Sequence, residues 1–159
     1  MSDEGALIEL LDRAHIHDAV YAFVQSLDSA DWERLRSIFD DPAVVDFSSY
    51  AGVELIRTVP DWIAGLQRTF PQLTTQHIAT NPTVEIEGDS AVCTVHMQAK
   101  HVRPTLRGDN WYDLGGLYIV DLKRSGSGWL ITGLCHTVSW EAGNIRIMSE
   151  AAAAAEPSN

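Results

Sequence analysis

The sequence predicts an α+β domain in which helices come first and an antiparallel meander follows. Three observations carry that prediction. Apolar residues recur at helical spacing in three stretches, about 4–27, 32–39 and 60–69, and the period drops to two from Thr74 onward. Glycine-bearing turns at Glu87-Gly-Asp-Ser90 and Arg124-Ser-Gly-Ser-Gly128 divide the later part into strands.

From Glu4 to about Leu27, an apolar stripe of Leu7, Leu10, Leu11, Ala14, Tyr21 and Val24 is widened by Ile16, Val20, Phe23 and Leu27. This predicts a long amphipathic helix. Stepping on through positions 17, 21, 24 and 28 brings Asp28 onto the face of Tyr21 and Val24 in the last turn. An inward carboxylate and a simple cap of the following turn both fit that position. Asp31 is the N-cap candidate of a shorter helix, Trp32 to about Phe39, which Asp40-Asp-Pro42 stops. Ala43 to Phe47 reads as a short strand and residues 48–52 as a turn. A third helix over about 60–69 carries Trp62, Ile63 and Leu66 and ends before Pro71. Strands follow at about 74–79, 83–87, 90–102, 112–123 and 129–140. Residues 149–159, an alanine run with a late proline, read as a flexible tail, so the domain is expected over 1–148.

A chain of 159 residues with 45% hydrophobic content suffices for one domain with a real core. The formal net charge of −11, with only 11 Lys and Arg, argues against nucleic acid, whose binding depends on clustered basic groups releasing counterions. The acidity is read as a self-repelling soluble surface. Cys93 and Cys135 lie far apart without a Cys-x-x-Cys spacing or a secretory leader, and read as small buried hydrophobes in a reducing compartment. No apolar run approaches the roughly 20 residues that cross a bilayer. A cytoplasmic protein with no membrane partner is therefore expected.

The strand over 90–102 separates its chemistry by parity. Ala91, Cys93, Val95, Met97 and Ala99 form one face, and His101 belongs to it; Val92, Thr94, His96, Gln98 and Lys100 form the other. A histidine ending an apolar row is either a satisfied core residue or a pocket residue. His77 shares a parity with Thr75 and Ala79. An imidazole, with an ordinary pKa of about 6.5, suits proton transfer near neutral pH, and a carboxylate on one ring nitrogen would make the other more basic.

Rival constellations are weaker. His15 and His17 diverge by about 200° on a helix and do not easily grip one ion. If Asp28, His77 and His101 meet, two histidines and a carboxylate also have the composition of a non-haem iron site. No ligand spacing favours that over acid–base use. There is no glycine-rich phosphate loop and no nucleophile elbow, and no ligand spacing from which a metal would be expected. Tyr50, Trp111, Tyr112, Tyr118 and Trp140 are candidates for an aromatic pocket, against the commoner fate of aromatics as core.

Taken in order, Ile16-His-Asp18, Leu27-Asp-Ser-Ala-Asp-Trp32, Val45-Asp-Phe47, Thr75-Gln-His77, Glu87-Gly-Asp89, His101, Gly128-Trp129 and Trp140-Glu-Ala-Gly-Asn144 form a familiar series. The chain resembles the SnoaL-like, scytalone dehydratase-type branch of the nuclear transport factor 2-like superfamily, from about Leu7 to Asn144. The resemblance implies a cone-shaped α+β barrel, with N-terminal helices packed in a curved mixed or antiparallel sheet around a deep pocket. The two histidines and the aspartate that serve elimination in scytalone dehydratase match His77, His101 and Asp28. The Asp28/His77 pair also resembles the dyad of hexachlorocyclohexane dehydrochlorinase. The dehydratase's two orienting tyrosines fall at Leu27 and Phe47, with Tyr50 near enough to replace one. Its later Ser and Asn fall near Gly116 and Tyr118, and the dehydrochlorinase's lysine falls at Phe23.

The expected activity is a cofactor-independent lyase acting on a cyclic or polyketide-like hydroxy-carbonyl compound. His77, held by Asp28, would be the base, and His101 would protonate the departing hydroxyl. Tyr50, Tyr118, Phe23, Phe47, Leu27 and Trp140 are the expected substrate-binding residues. The alternatives are an isomerase, cyclase or hydratase with the same dyad, and a non-catalytic binding domain. A homodimer or homotrimer is expected, because outer-face residues such as Val92, Leu117 and Ile119 would otherwise stay wet.

Overall fold

The computed structural model describes residues 3–52, 54–104 and 108–155. Helix α1, Asp3–Ser29, starts with two acidic residues that complement its dipole. Its buried side runs through Ile16, Val20, Phe23 and Leu27. Leu7, Leu10 and Leu11, expected on that side, are exposed. The helix engages the sheet only from about Asp12, which pairs with Arg124, and Arg13, which donates to the Val84 carbonyl at 2.9 Å. The first two turns lie beyond that anchor.

The end of α1 is sharply defined. Ala30 adopts φ 53°, its N–H donates to the Leu27 carbonyl at 3.2 Å, and the Asp31 N–H donates to the Ser26 carbonyl at 3.0 Å. These two bonds form a Schellman closure, which makes Asp28 the last fully helical residue. Asp31 then caps α2, Trp32–Ser37, by accepting the Arg34 N–H at 3.0 Å. The chain turns into strand β1, Phe39–Asp46, earlier than the sequence suggested. The Asp40-Asp-Pro42 stretch, expected to be a helix stop, is an irregular part of the strand where the register shifts between Phe39 and Val44. Proline lacks the N–H for a regular ladder, and a bulge accommodates it.

Helix α3, Ser48–Ala51, and the three-residue strand β2, Ile56–Thr58, follow. Helix α4, Val59–Thr69, is capped by Thr58, whose hydroxyl accepts the Asp61 N–H at 3.3 Å, and leads into a 3-10 turn, Phe70–Gln72. The remaining strands are β3, Thr74–Glu87; β4, Ser90–Val102; β5, Trp111–Ser125; and β6, Gly128–Gly143. Two strands expected over 74–79 and 83–87 are one, because a register shift between Thr80 and Thr83 absorbs Asn81 and Pro82.

The sheet order is β2-β1-β6-β5-β4-β3. All neighbours are antiparallel except β1 and β6, which run parallel, so the sheet is mixed. Among the described residues β2 and β3 remain unpaired edges: the sheet wraps over the helices without closing. Its concave face carries Cys93, Val95, Met97, Val120 and Ile131 against α1, as the parity of 90–102 predicted. The α+β class and curved, helix-filled sheet agree with the sequence.

Residues 149–154, expected as part of a flexible tail, belong instead to helix α5, Ile147–Ala154. Alanine is the strongest helix former, and spacing of four puts Ile147 and Ala151 on one face, where both are fully buried. Residues 156–159 of that expected tail lie outside the described residues.

Candidate active site

Between the concave sheet and the helices lies a cavity of about 190 Å³. It is walled largely by apolar and aromatic side chains, including Trp62 and Leu66 of α4, Phe70 of the 3-10 turn and Met148 of α5. Its polar groups come mainly from strands: His77 from β3, His101 from β4, Tyr112 and Tyr118 from β5, and His136 from β6. A dry wall with a few convergent polar groups is the usual form of a small-molecule site.

Asp28 and His77 form the best-defined pair. The Asp28 carboxylate accepts the His77 backbone N–H at 2.7 Å and the Thr75 hydroxyl at 2.9 Å, and one oxygen lies 2.6 Å from His77 Nδ1. The His77 side chain is only 5% exposed and that of Asp28 is 26% exposed, although the helix end itself is open to solvent. Burial pushes the Asp28 carboxyl up, but the His77 ring and backbone bonds, with the Thr75 hydroxyl, outweigh it and hold the group below its ordinary value. An ionised carboxylate at Nδ1 keeps the proton on that nitrogen and leaves Nε2 as the basic one.

His101 stands beside this pair, its ring centroid 5.4 Å from that of His77 and nearly perpendicular to it. Burial, and to a lesser degree the neighbouring His77, push its pKa down to about 4. At neutral pH it is an uncharged imidazole. Its Nδ1 is buried and has no partner of hydrogen-bonding geometry.

His136 is 3% exposed and lies between the Phe47 and Tyr118 rings, at centroid distances of 5.4 and 5.2 Å. Both its ring nitrogens are buried without a partner. Burial, with a smaller contribution from His77, lowers its pKa to about 4. Burial likewise raises Tyr50, Tyr112 and Tyr118, so all three remain neutral phenols. The Tyr112 hydroxyl donates to Glu141 at 2.7 Å.

The structure brings Asp28, His77 and His101 together, and Leu27, Phe47, Tyr50 and Tyr118 line the cavity. Two expected substrate-binding residues do not. Phe23 is fully buried behind the wall, its ring 5.2 Å from Tyr118 and 6.2 Å from Trp62, both of which do face the cavity. Trp140 is 46% exposed on the outer sheet face, where a side chain at Gly115 would collide with its indole. The register shift between Gly115 and Gly116 separates it from the inward row. His136, Trp62, Leu66, Phe70 and Met148 were not anticipated. The available signal for His136 was its alternation with Leu134 and Val138. Among the described residues no group of three or more His, Cys, Asp and Glu is arranged to hold a metal, and no helix is long and apolar enough to cross a membrane.

The family model for the SnoaL-like domain matches residues 8–134. No curated protein matches the sequence. Among solved structures, Kfla4162 protein from Kribbella flavida is 26% identical with a TM-score of 0.79, over 87% of this chain and 97% of that one. A candidate scytalone dehydratase from Novosphingobium aromaticivorans is 14% identical with a TM-score of 0.76, over 87% and 91%. Hexachlorocyclohexane dehydrochlorinase LinA-type3 from Novosphingobium barchaimii is 19% identical with a TM-score of 0.69, over 87% and 94%. The last two likenesses concern the fold.

Proposed function

The chain belongs to the SnoaL-like domain family, and from that premise we propose that it is a cofactor-independent lyase that removes water from a small cyclic hydroxy-carbonyl compound. The observation that carries this reading is the Asp28–His77 pair, whose imidazole lines an apolar cavity. A cavity of about 150 Å³ takes a single benzene ring, so about 190 Å³ suits one ring with a few substituents.

In the reaction, the C–H bond beside the carbonyl breaks and its proton goes to His77 Nε2. The electron pair moves into the enolate. As the carbonyl re-forms, the C–O bond to the hydroxyl breaks, and the departing oxygen takes the proton that His77 carries. The products are an enone and water, with no change of oxidation state. His101, expected from the sequence as the proton donor, has a different part here. An imidazole neutral down to about pH 4 is a poor acid at pH 7, so His101 offers hydrogen bonds that steer the leaving oxygen. The fold shared with a candidate dehydratase and a dehydrochlorinase supports the lyase reading.

The test is turnover of a panel of single-ring β-hydroxy ketones, such as 3-hydroxycyclohexanone, followed by mass and enone absorbance. The expected product is lighter by one water, and His77→Ala slows its formation by about 10²–10⁴-fold, the usual contribution of a positioned general base. A product of unchanged mass would point to an isomerase or cyclase. Turnover by His77→Ala within about threefold of the parent would remove the base from the mechanism.

A further inference from the structure

His136 has no part in the proton transfers above, yet its placement is costly. It is a cavity-wall residue, 3% exposed, with neither ring nitrogen bonded to any protein group. Buried donors and acceptors almost always have partners, and leaving one unmet costs more than an average hydrogen bond contributes. A phenylalanine would fill the same slot between Phe47 and Tyr118 without that cost. The position makes sense if the missing partner is a ligand. His136 stands on β6, separated from the base on β3 by β5 and β4, so the two rings occupy different walls of one cavity.

We propose that His136 is the anchor for the substrate's carbonyl oxygen: its ring N–H donates to the oxygen on which negative charge gathers as His77 removes the adjacent proton. The assignment rests on the elimination reading of this cavity and narrows its substrate. A neutral imidazole has one donor and one acceptor. A ketone oxygen satisfies the donor, and a hydroxyl on the ligand can satisfy the acceptor. The substrate class is therefore a single-ring hydroxy-ketone with its carbonyl at the β6 wall and its acidic C–H at the β3 wall. A neutral imidazole is an effective electrophile for a carbonyl, because its N–H can strengthen its bond to the developing enolate without giving up the proton. His136 would thus touch substrate directly.

The test compares equilibrium binding of cyclohexanone with that of methylenecyclohexane, which has the same shape and lacks the oxygen, by calorimetry or ligand-observed NMR. The ratio of ketone to alkene affinity is expected to be about threefold or more higher in the wild type than in His136→Phe, the effect of one hydrogen bond, and the comparison cancels the ketone's own cost of leaving water. His136→Phe is expected to leave the thermal midpoint of the free protein unchanged or higher. His136→Gln, which keeps an N–H donor, is expected to retain part of the ketone preference relative to His136→Phe. If Phe prevents folding, His136→Leu carries the same comparison. A ratio in His136→Phe or His136→Leu as high as in the wild type would overturn the assignment. So would a clear fall in midpoint for a His136→Phe protein that still folds, because it would reveal a structural partner. Binding requires no turnover, and His77→Ala is expected to keep the ketone preference, so failure of the anchor and failure of the base give different results.

Discussion

Asp28 holds three groups at once: the ring and the backbone N–H of His77, and the hydroxyl of Thr75. The two remaining cavity histidines have no hydrogen-bonded carboxylate, and this difference has a measurable consequence. In the unfolded chain, His101 and His136 take up protons below about pH 6.5. In the folded protein burial keeps both neutral down to about 4. Between those values the unfolded state binds more protons, so stability is fully present above about pH 6.5 and falls as pH is lowered through the window. Each imidazole contributes up to about 3 kcal/mol to that loss. Asp28 acts lower, because its depressed carboxyl withdraws stability only as pH falls below the ordinary carboxylate range. Urea unfolding between pH 7 and 4.5 should show the loss, and replacing both histidines with Phe should flatten it. An unchanged slope in that double variant would mean that other groups set the acid limit.

At the scale of elements, the site depends on where α1 stops. The Schellman closure at Ala30 leaves Asp28 in the last turn, opposite β3, and a non-glycine residue pays for it with φ 53°. Ala30→Gly should stabilise the protein by about 0.5–1 kcal/mol, since glycine adopts that conformation without a Cβ clash; a loss of stability would contradict this account of the helix end. The helix face of Asp28 and the parity of β4 were legible in the sequence, because both depend on regular periods of 3.6 and 2. The boundaries around Pro42 and Pro82 were not legible, because bulges let strands pass residues that ordinarily interrupt them. Helix α5 was also missed, since alanines give no amphipathic contrast and their burial depends on a neighbouring surface. Trp140 shows the same limit in reverse: one register shift at Gly115/Gly116 moves an aromatic from the expected pocket to the outside.

Over the whole molecule, an unclosed sheet and five helical segments surround one largely apolar volume, and the sequence supplies the polar groups in and beside it from separated places: Asp28, His77, His101 and His136 span more than 100 residues. The family resemblance located the first three, whereas the fourth depends on a tertiary wall that local patterning does not reveal. The central claim is that this volume removes a proton from carbon with the Asp28–His77 pair. It is tested most directly by NMR of deuterium incorporation beside the carbonyl of cyclohexanone in D2O, comparing wild type with His77→Ala and Asp28→Asn. Wild-type protein is predicted to accelerate exchange, His77→Ala to lose about 10²-fold or more of that acceleration, and Asp28→Asn to lose a large part of it. Exchange at the same rate in all three proteins, or no faster than in buffer, would contradict the claim.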